Sequence, residues 1–113
     1  MTRTILIVED EAIPAKDYQI IVENAGFKVV GIATTSTEAI AIANKEKPNI
    51  ILMDINLKGE DSGIDAARAI YNSYEPEIVF ITGLEEEVLV FTEIRYKYIK
   101  KPIYEWSLLK ALS

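Results

Sequence analysis

Cysteine and histidine are both missing from this chain of 113 residues. Without cysteine the chain has no disulfide, no thiolate nucleophile and no cysteine-type zinc site. Without histidine it has no imidazole base, so a Ser-His-Asp triad is excluded within the chain. The absence of disulfides suits a reducing compartment, and we expect a cytoplasmic protein.

Positive charge is also scarce, since 12 lysines and arginines stand against 18 aspartates and glutamates and the net charge is -6. Nucleic-acid binding needs a basic surface, so we expect no direct binding to DNA or RNA. No apolar run approaches the ~20 residues of a membrane span, and the first residues lack the layout of a signal peptide. We therefore expect a soluble protein with no membrane partner.

Short apolar runs are plentiful, and half of all residues are hydrophobic. Five runs of four or five residues, rich in β-branched or aromatic side chains, predict strands. They cover residues 5–8, 29–33, 50–53, 78–81 and 96–99. The first, third and fourth runs show no polar alternation, as expected for strands that are covered on both faces of a parallel sheet.

Helical patterns separate these runs. A glycine ends the first helix, and a capping box opens the second. A serine can cap the third, acidic residues favour the start of a fourth, and the fifth carries an apolar face. The residues concerned are Gly26, Thr35 with Glu38, Ser62, Glu85 to Glu87, and Tyr104, Leu108 and Leu112. The run 88–91 would also suit a strand.

Strict alternation of strand and helix predicts one α/β domain over residues 1–113, with a parallel sheet between helices. Ligands of such sheets gather beyond the carboxyl ends of the strands. Glu9 and Asp10 follow the first predicted strand, Asp54 the third, Thr82 the fourth and Lys101 the fifth. The topology therefore predicts that three carboxylates, a hydroxyl and an ammonium share one edge.

Three carboxylates at such short range cannot all stay ionised without a cation. Oxygen ligands without cysteine or histidine favour Mg²⁺ or Mn²⁺ over zinc. A lysine and a hydroxyl beside the cation suit phosphate oxygens. The pattern therefore predicts phosphoryl transfer to one of the carboxylates.

The segments ILIVEDE, ILMDINL, FITG and YIKKP, in this order, resemble the receiver domain of two-component response regulators, the CheY-like family. The resemblance runs from Thr4 to about Leu112. It implies a flavodoxin-like (βα)5 fold, doubly wound, with a five-stranded parallel sheet in the order 2-1-3-4-5. The motifs are weak one by one, but their order and their places at strand ends are specific.

For the metal and the phosphoryl group, the resemblance implies a role for each matching residue. Asp54 is the phosphoacceptor. Glu9 and Asp10 hold Mg²⁺ or Mn²⁺, with Asp54 and the backbone carbonyl of Asn56 as further ligands.

The resemblance also implies a switch. Thr82 is the hydroxyl that turns toward the phosphoryl group, Lys101 pairs with that group, and Tyr98 swings inward when Thr82 moves. The Lys101-Pro102 peptide bond is expected to be cis. The change is expected to reach the face formed by the fourth helix, the fifth strand and the fifth helix.

As a receiver, the chain would accept its phosphoryl group from a sensor histidine kinase or a phosphotransfer protein. It would not be an enzyme, beyond assisting its own phosphorylation and dephosphorylation. The resemblance allows a homodimer through the switching face and a C-terminal output domain in a longer chain.

The chain departs from the family pattern near the switch. Gly83 stands where the family more often has alanine, and the stretch from Thr82 to Lys101 is short by about one helical turn. This motivates a second hypothesis, in which the chain is a receiver-like protein-interaction module that is not phosphorylated. A Mg²⁺-dependent phosphatase is a third hypothesis, although Asn56 stands where that chemistry would use a second acid.

Overall fold

The structure of the protein is a computed structural model, which describes residues 2–55, 57, 63–83 and 94–113. Within these ranges five strands and four helices alternate along the chain. They are β1 (Thr4–Val8), α1 (Ala12–Asn24), β2 (Lys28–Ala33), α2 (Ser36–Glu46), β3 (Ile50–Asp54), α3 (Gly63–Tyr74), β4 (Glu77–Thr82), β5 (Tyr96–Lys100) and α4 (Glu105–Leu112). All five predicted strands are confirmed, each within one residue of its predicted bounds at either end.

The predicted fourth helix falls on residues outside the described ranges, as do Ser62 and Asn56. The predicted fifth helix is α4 of the structure, and its face of Leu108 and Leu112 is buried as expected. Tyr104, which was placed on the same apolar face, instead precedes α4 and is 55% exposed. The Tyr104 ring stacks on Trp106, with the ring centroids 6.3 Å apart.

The five strands form one parallel sheet in the order β2-β1-β3-β4-β5. This confirms the predicted order 2-1-3-4-5 and the flavodoxin-like class. The chain leaves β1 to one side for β2 and returns to its other side for β3, so the direction of winding reverses at β1 and β3. A crevice opens beyond the carboxyl ends of the strands at such a reversal, and the candidate site lies there.

The core has two layers, one on each face of the sheet, because successive strand residues point to opposite faces. Leu6 and Val8 pack with α2 and α3, whereas Ile5 and Ile7 pack with α1 and α4. β3 is buried at every position from Ile50 to Asp54. Burial on both faces explains why these runs lack polar alternation.

The ends of the helices follow the local sequence signals. Gly26 takes a φ of 98° just after α1, a conformation that glycine adopts without a Cβ penalty. The Thr35 side chain accepts a hydrogen bond of 3.1 Å from the Glu38 backbone N–H at the start of α2, which is half of the predicted capping box. Among the described residues, no helix combines the length and the apolar character needed to cross a bilayer.

Candidate functional site

The parallel sheet brings the predicted site residues to one edge. Asp54 and Thr82 are the last residues of β3 and β4, and β3 lies between β1 and β4. Glu9 and Asp10 follow β1 directly, and Lys101 follows β5. Residues that are up to 92 positions apart in the sequence therefore meet because the strands run in the same direction.

Glu9, Asp10 and Asp54 form a compact carboxylate cluster. One carboxylate oxygen from each lies within 4.8 Å of those from the other two. Glu9 is 3% and Asp54 2% exposed, whereas Asp10 is half-buried and opens the cluster toward solvent. The donor set consists of hard carboxylate oxygens without sulfur or imidazole, so these residues fit Mg²⁺ or Mn²⁺.

The buried carboxylates of the cluster repel one another, and the pKa of Glu9 reflects this repulsion. The pKa of Glu9 is raised from 4.5 to about 7, most of all by burial and then by the charge of Asp54 and a hydrogen bond with Asp54. The Glu11 backbone N–H, 3.3 Å from Oε2 of Glu9, opposes this shift by stabilising the ionised form. A bound divalent cation would relieve the repulsion between Glu9 and Asp54.

Lys101 joins the site from its rim. Its Nζ lies 3.1 Å from Oδ2 of Asp54, and its side chain is 40% exposed while that of Asp54 is 2% exposed. The Lys101 backbone N–H donates to the Thr82 carbonyl at 2.7 Å, so the end of β5 is tied to the end of β4. The Lys101-Pro102 peptide bond is cis, as expected. The ammonium group thus contacts the buried carboxylate and still faces solvent.

Thr82 is fully buried at the end of β4. Its side chain lies on the same face of the sheet as that of Phe80, two residues earlier. Phe80 pairs in register with Tyr98, which is half-buried and packs against the core layer of that face. The two predicted switch residues therefore share one face of the sheet.

Two residues near the site were not identified from the sequence. Tyr18 lies on α1, and its pKa is raised to about 12 by burial and by the charges of Glu9 and Asp54. Gly63 begins α3, and its backbone N–H donates to the Ile55 carbonyl at 3.2 Å. Neither contact was inferred from the sequence, because both depend on which segments approach the site.

Comparisons with known proteins agree with this geometry. A family model described as the response regulator receiver domain matches residues 5–113. The phyllosphere-induced regulator PhyR of Methylorubrum extorquens is 42% identical over 90 residues, which are 79% of this chain and 34% of that protein. The chemotaxis protein CheY of Thermotoga maritima is 30% identical over 117 residues, covering 100% of this chain and 97% of CheY.

A solved structure agrees as well. The solution structure of the receiver domain of Erythrobacter litoralis PhyR has a TM-score of 0.88 at 32% identity, over 99% of this chain and 88% of that one. Several of the matched curated proteins are longer than this chain, which spans 34% to 46% of their length.

Proposed function

The chain belongs to the receiver-domain family of response regulators, and on that premise we propose that it accepts a phosphoryl group from a phosphohistidine onto Asp54. One observation carries the proposal: a buried carboxylate stands 3.1 Å from a lysine ammonium and within 4.8 Å of two further acids. A merely structural ion pair between Asp54 and Lys101 has no need of Glu9 and Asp10, whose charges oppose burial. A site that holds a cation and a phosphoryl group uses all four side chains.

In the proposed step an oxygen of the Asp54 carboxylate attacks the phosphorus atom of the partner's phosphohistidine. A P–O bond forms as the P–N bond breaks, and the electron pair stays on the imidazole nitrogen, which is then protonated. The products are an acyl phosphate on Asp54 and a neutral histidine on the partner. The chain assists this step on itself, and it also assists the later attack of water that returns Asp54 to a free carboxylate and releases inorganic phosphate. It turns over no separate substrate.

Glu9, Asp10 and Asp54 would hold Mg²⁺ or Mn²⁺, and the backbone carbonyl of Asn56 remains a further ligand implied by the family. When bound, the cation neutralises charge on the carboxylates and on the transferred oxygens. Lys101 supplies the second positive charge from the rim of the pocket. Because its side chain is 40% exposed, the ammonium can follow the phosphoryl oxygens without leaving a buried charge unpaired.

The new phosphoryl group adds charge beside Thr82 and Lys101. We propose that the Thr82 hydroxyl turns toward it and that Tyr98 moves into the space behind Thr82. This would alter the face that includes β5 and α4, with both conformers present beforehand and phosphorylation shifting their populations. That face would then select a partner or form a homodimer.

The phosphoryl donor would be a sensor histidine kinase or a phosphotransfer protein of the cytoplasm. Residues 1–113 would form a single receiver domain. Because this chain spans 34% of the PhyR of Methylorubrum extorquens, we also propose that it can serve as the receiver part of a longer regulator with an output domain.

The test is direct phosphorylation. The protein is incubated with Mg²⁺ and acetyl phosphate, and an acid-stable, base-labile adduct is measured for wild type and Asp54→Asn. Asp17→Asn is the matched control, since Asp17 is exposed on α1. We expect label on wild type and on the control but not on Asp54→Asn. Equal label on Asp54→Asn would show that Asp54 is not the acceptor.

A further inference from the structure

Gly63 lies against the backbone of the proposed phosphoacceptor. A Cβ atom built at Gly63 would overlap the carbonyl oxygen of Asp54 and would stand 3.0 Å from Cα of Ile55. The carbonyl carbon of Asp54 would be only 3.2 Å away. These neighbours are backbone atoms, so no side-chain rotation can make room. From this contact we infer that Gly63 is a positioning residue for Asp54, an inference that rests on the proposed function.

The peptide that joins Asp54 to Ile55 is held from two sides. The Ile55 N–H donates to the Ile81 carbonyl of β4 at 3.1 Å, and the Ile55 carbonyl accepts from the Gly63 N–H at 3.2 Å. The Asp54 side chain, 2% exposed, ends at the Lys101 ammonium. The absent side chain of Gly63 thus lets α3 begin in contact with the backbone that sets the direction of the Asp54 carboxylate.

A side chain at position 63 forces either α3 or the Asp54 peptide to move, and each of these movements has a cost. Restoring van der Waals separation needs a displacement of roughly 1 Å. If α3 withdraws, it pulls Ala66, Ala67 and Ile70 out of the core, where each is at most 1% exposed. If instead the Asp54 peptide moves, the carboxylate turns away from Glu9, Asp10 and Lys101. A displacement of this size at a reacting group can cost about 100-fold in rate.

Helix propensity acts in the opposite direction, which separates positioning from stability. Alanine is favoured over glycine in helices by about 1 kcal/mol, which offsets part of what Gly63→Ala loses in packing. Gly83→Ala is the matched control beside the same pocket, because a Cβ built at Gly83 meets no atom of the described residues within 4 Å. Both variants place one methyl group next to a site residue or its backbone, and only one of them displaces the Asp54 backbone.

The experiment compares wild type, Gly63→Ala and Gly83→Ala. The Mg²⁺ dissociation constant of each protein is measured by titration well below that protein's melting temperature. Phosphorylation by acetyl phosphate is then followed at saturating Mg²⁺. For Gly63→Ala we expect weaker Mg²⁺ binding and a maximal rate lower by roughly 10- to 100-fold, with an unchanged dependence on donor concentration. Gly83→Ala should stay within about two-fold of wild type.

Metal affinity and rate within two-fold of wild type in Gly63→Ala would overturn the inference, and so would a lowered melting temperature alone. If Gly63→Ala does not fold, amide hydrogen exchange on wild type decides. Saturating Mg²⁺ should slow exchange of the Gly63 N–H, and unchanged exchange would overturn the inference. If wild type neither binds Mg²⁺ nor takes label, the proposed function itself is wrong, and the inference falls with it.

Discussion

Neutralising Glu9 should stabilise the metal-free protein. In the fold its pKa is raised from 4.5 to about 7, first by burial and then by Asp54. Well below pH 4.5 the Glu9 carboxyl is protonated in both the folded and unfolded states, so it does not change the free energy of unfolding. As the pH rises through 7 the folded protein must ionise it, so this group lowers stability progressively between those values. At 1.36 kcal/mol per pKa unit, the cost approaches about 3 kcal/mol at pH 8.

Glu9→Gln removes this cost, and its amide oxygen can still accept from the Glu11 N–H. We therefore expect the variant to exceed wild type in free energy of unfolding by about 3 kcal/mol at pH 8 and by about 1 kcal/mol at pH 5. The measurement is urea unfolding in EDTA, followed by circular dichroism. Glu46→Gln is the control, since Glu46 is exposed at the end of α2.

Mg²⁺ should reduce this difference in stability between the two proteins. An ion at 100 times its dissociation constant stabilises the folded state by about 2.7 kcal/mol, and Glu9→Gln lacks one of the carboxylates proposed to bind the metal. Wild type should therefore gain more from Mg²⁺ than the variant does. A Glu9→Gln variant that is no more stable than wild type in EDTA at pH 8, or whose advantage is the same at pH 5, would contradict a raised pKa of Glu9 in the fold.

Three further substitutions test other parts of the site and fold. Lys101→Ala should slow labelling of Asp54 by acetyl phosphate roughly 100-fold while leaving Mg²⁺ binding intact, as calorimetry would show; an unchanged rate would remove Lys101 from the mechanism. Thr82→Val should still take label but should lose the phosphorylation-dependent shift of the Tyr98 ring resonances. A retained shift would show that Tyr98 does not respond to Thr82. Phe80→Ala, which empties a fully buried site beside Tyr96, should cost about 3–5 kcal/mol in urea unfolding, and a loss below 1 kcal/mol would contradict the packing described.

The sequence predicts the sheet well because its parallel strands are covered on both faces. Residues 50–53 read as a continuous apolar run, and β3 is indeed buried throughout. Once the strands are parallel, the positions of Asp54 and Lys101 follow from chain direction alone. Chain direction also places Glu9 beside them, although Glu9 and Asp54 are 45 positions apart in the sequence.

Features that depend on the approach of two segments were not predictable. The raised pKa of Glu9 requires its burial against Asp54, and the fit of Gly63 requires the start of α3 to meet the end of β3. The contacts of Lys97, an exposed residue of the edge strand β5, are another example. Its ammonium lies 3.3 Å from Oε1 of Glu77 and donates to the Ala111 carbonyl at 3.0 Å, so it links β5 to β4 and α4.

The most direct test of the central claim is to map the acyl phosphate chemically. The protein is treated with acetyl phosphate and Mg²⁺ and reduced with borohydride, which converts an aspartyl phosphate to homoserine, and its peptides are sequenced by mass spectrometry. We predict homoserine at position 54 in wild type and none when EDTA replaces Mg²⁺. Homoserine at another acidic position, or at position 54 regardless of EDTA, would contradict a cation-dependent phosphoacceptor at Asp54.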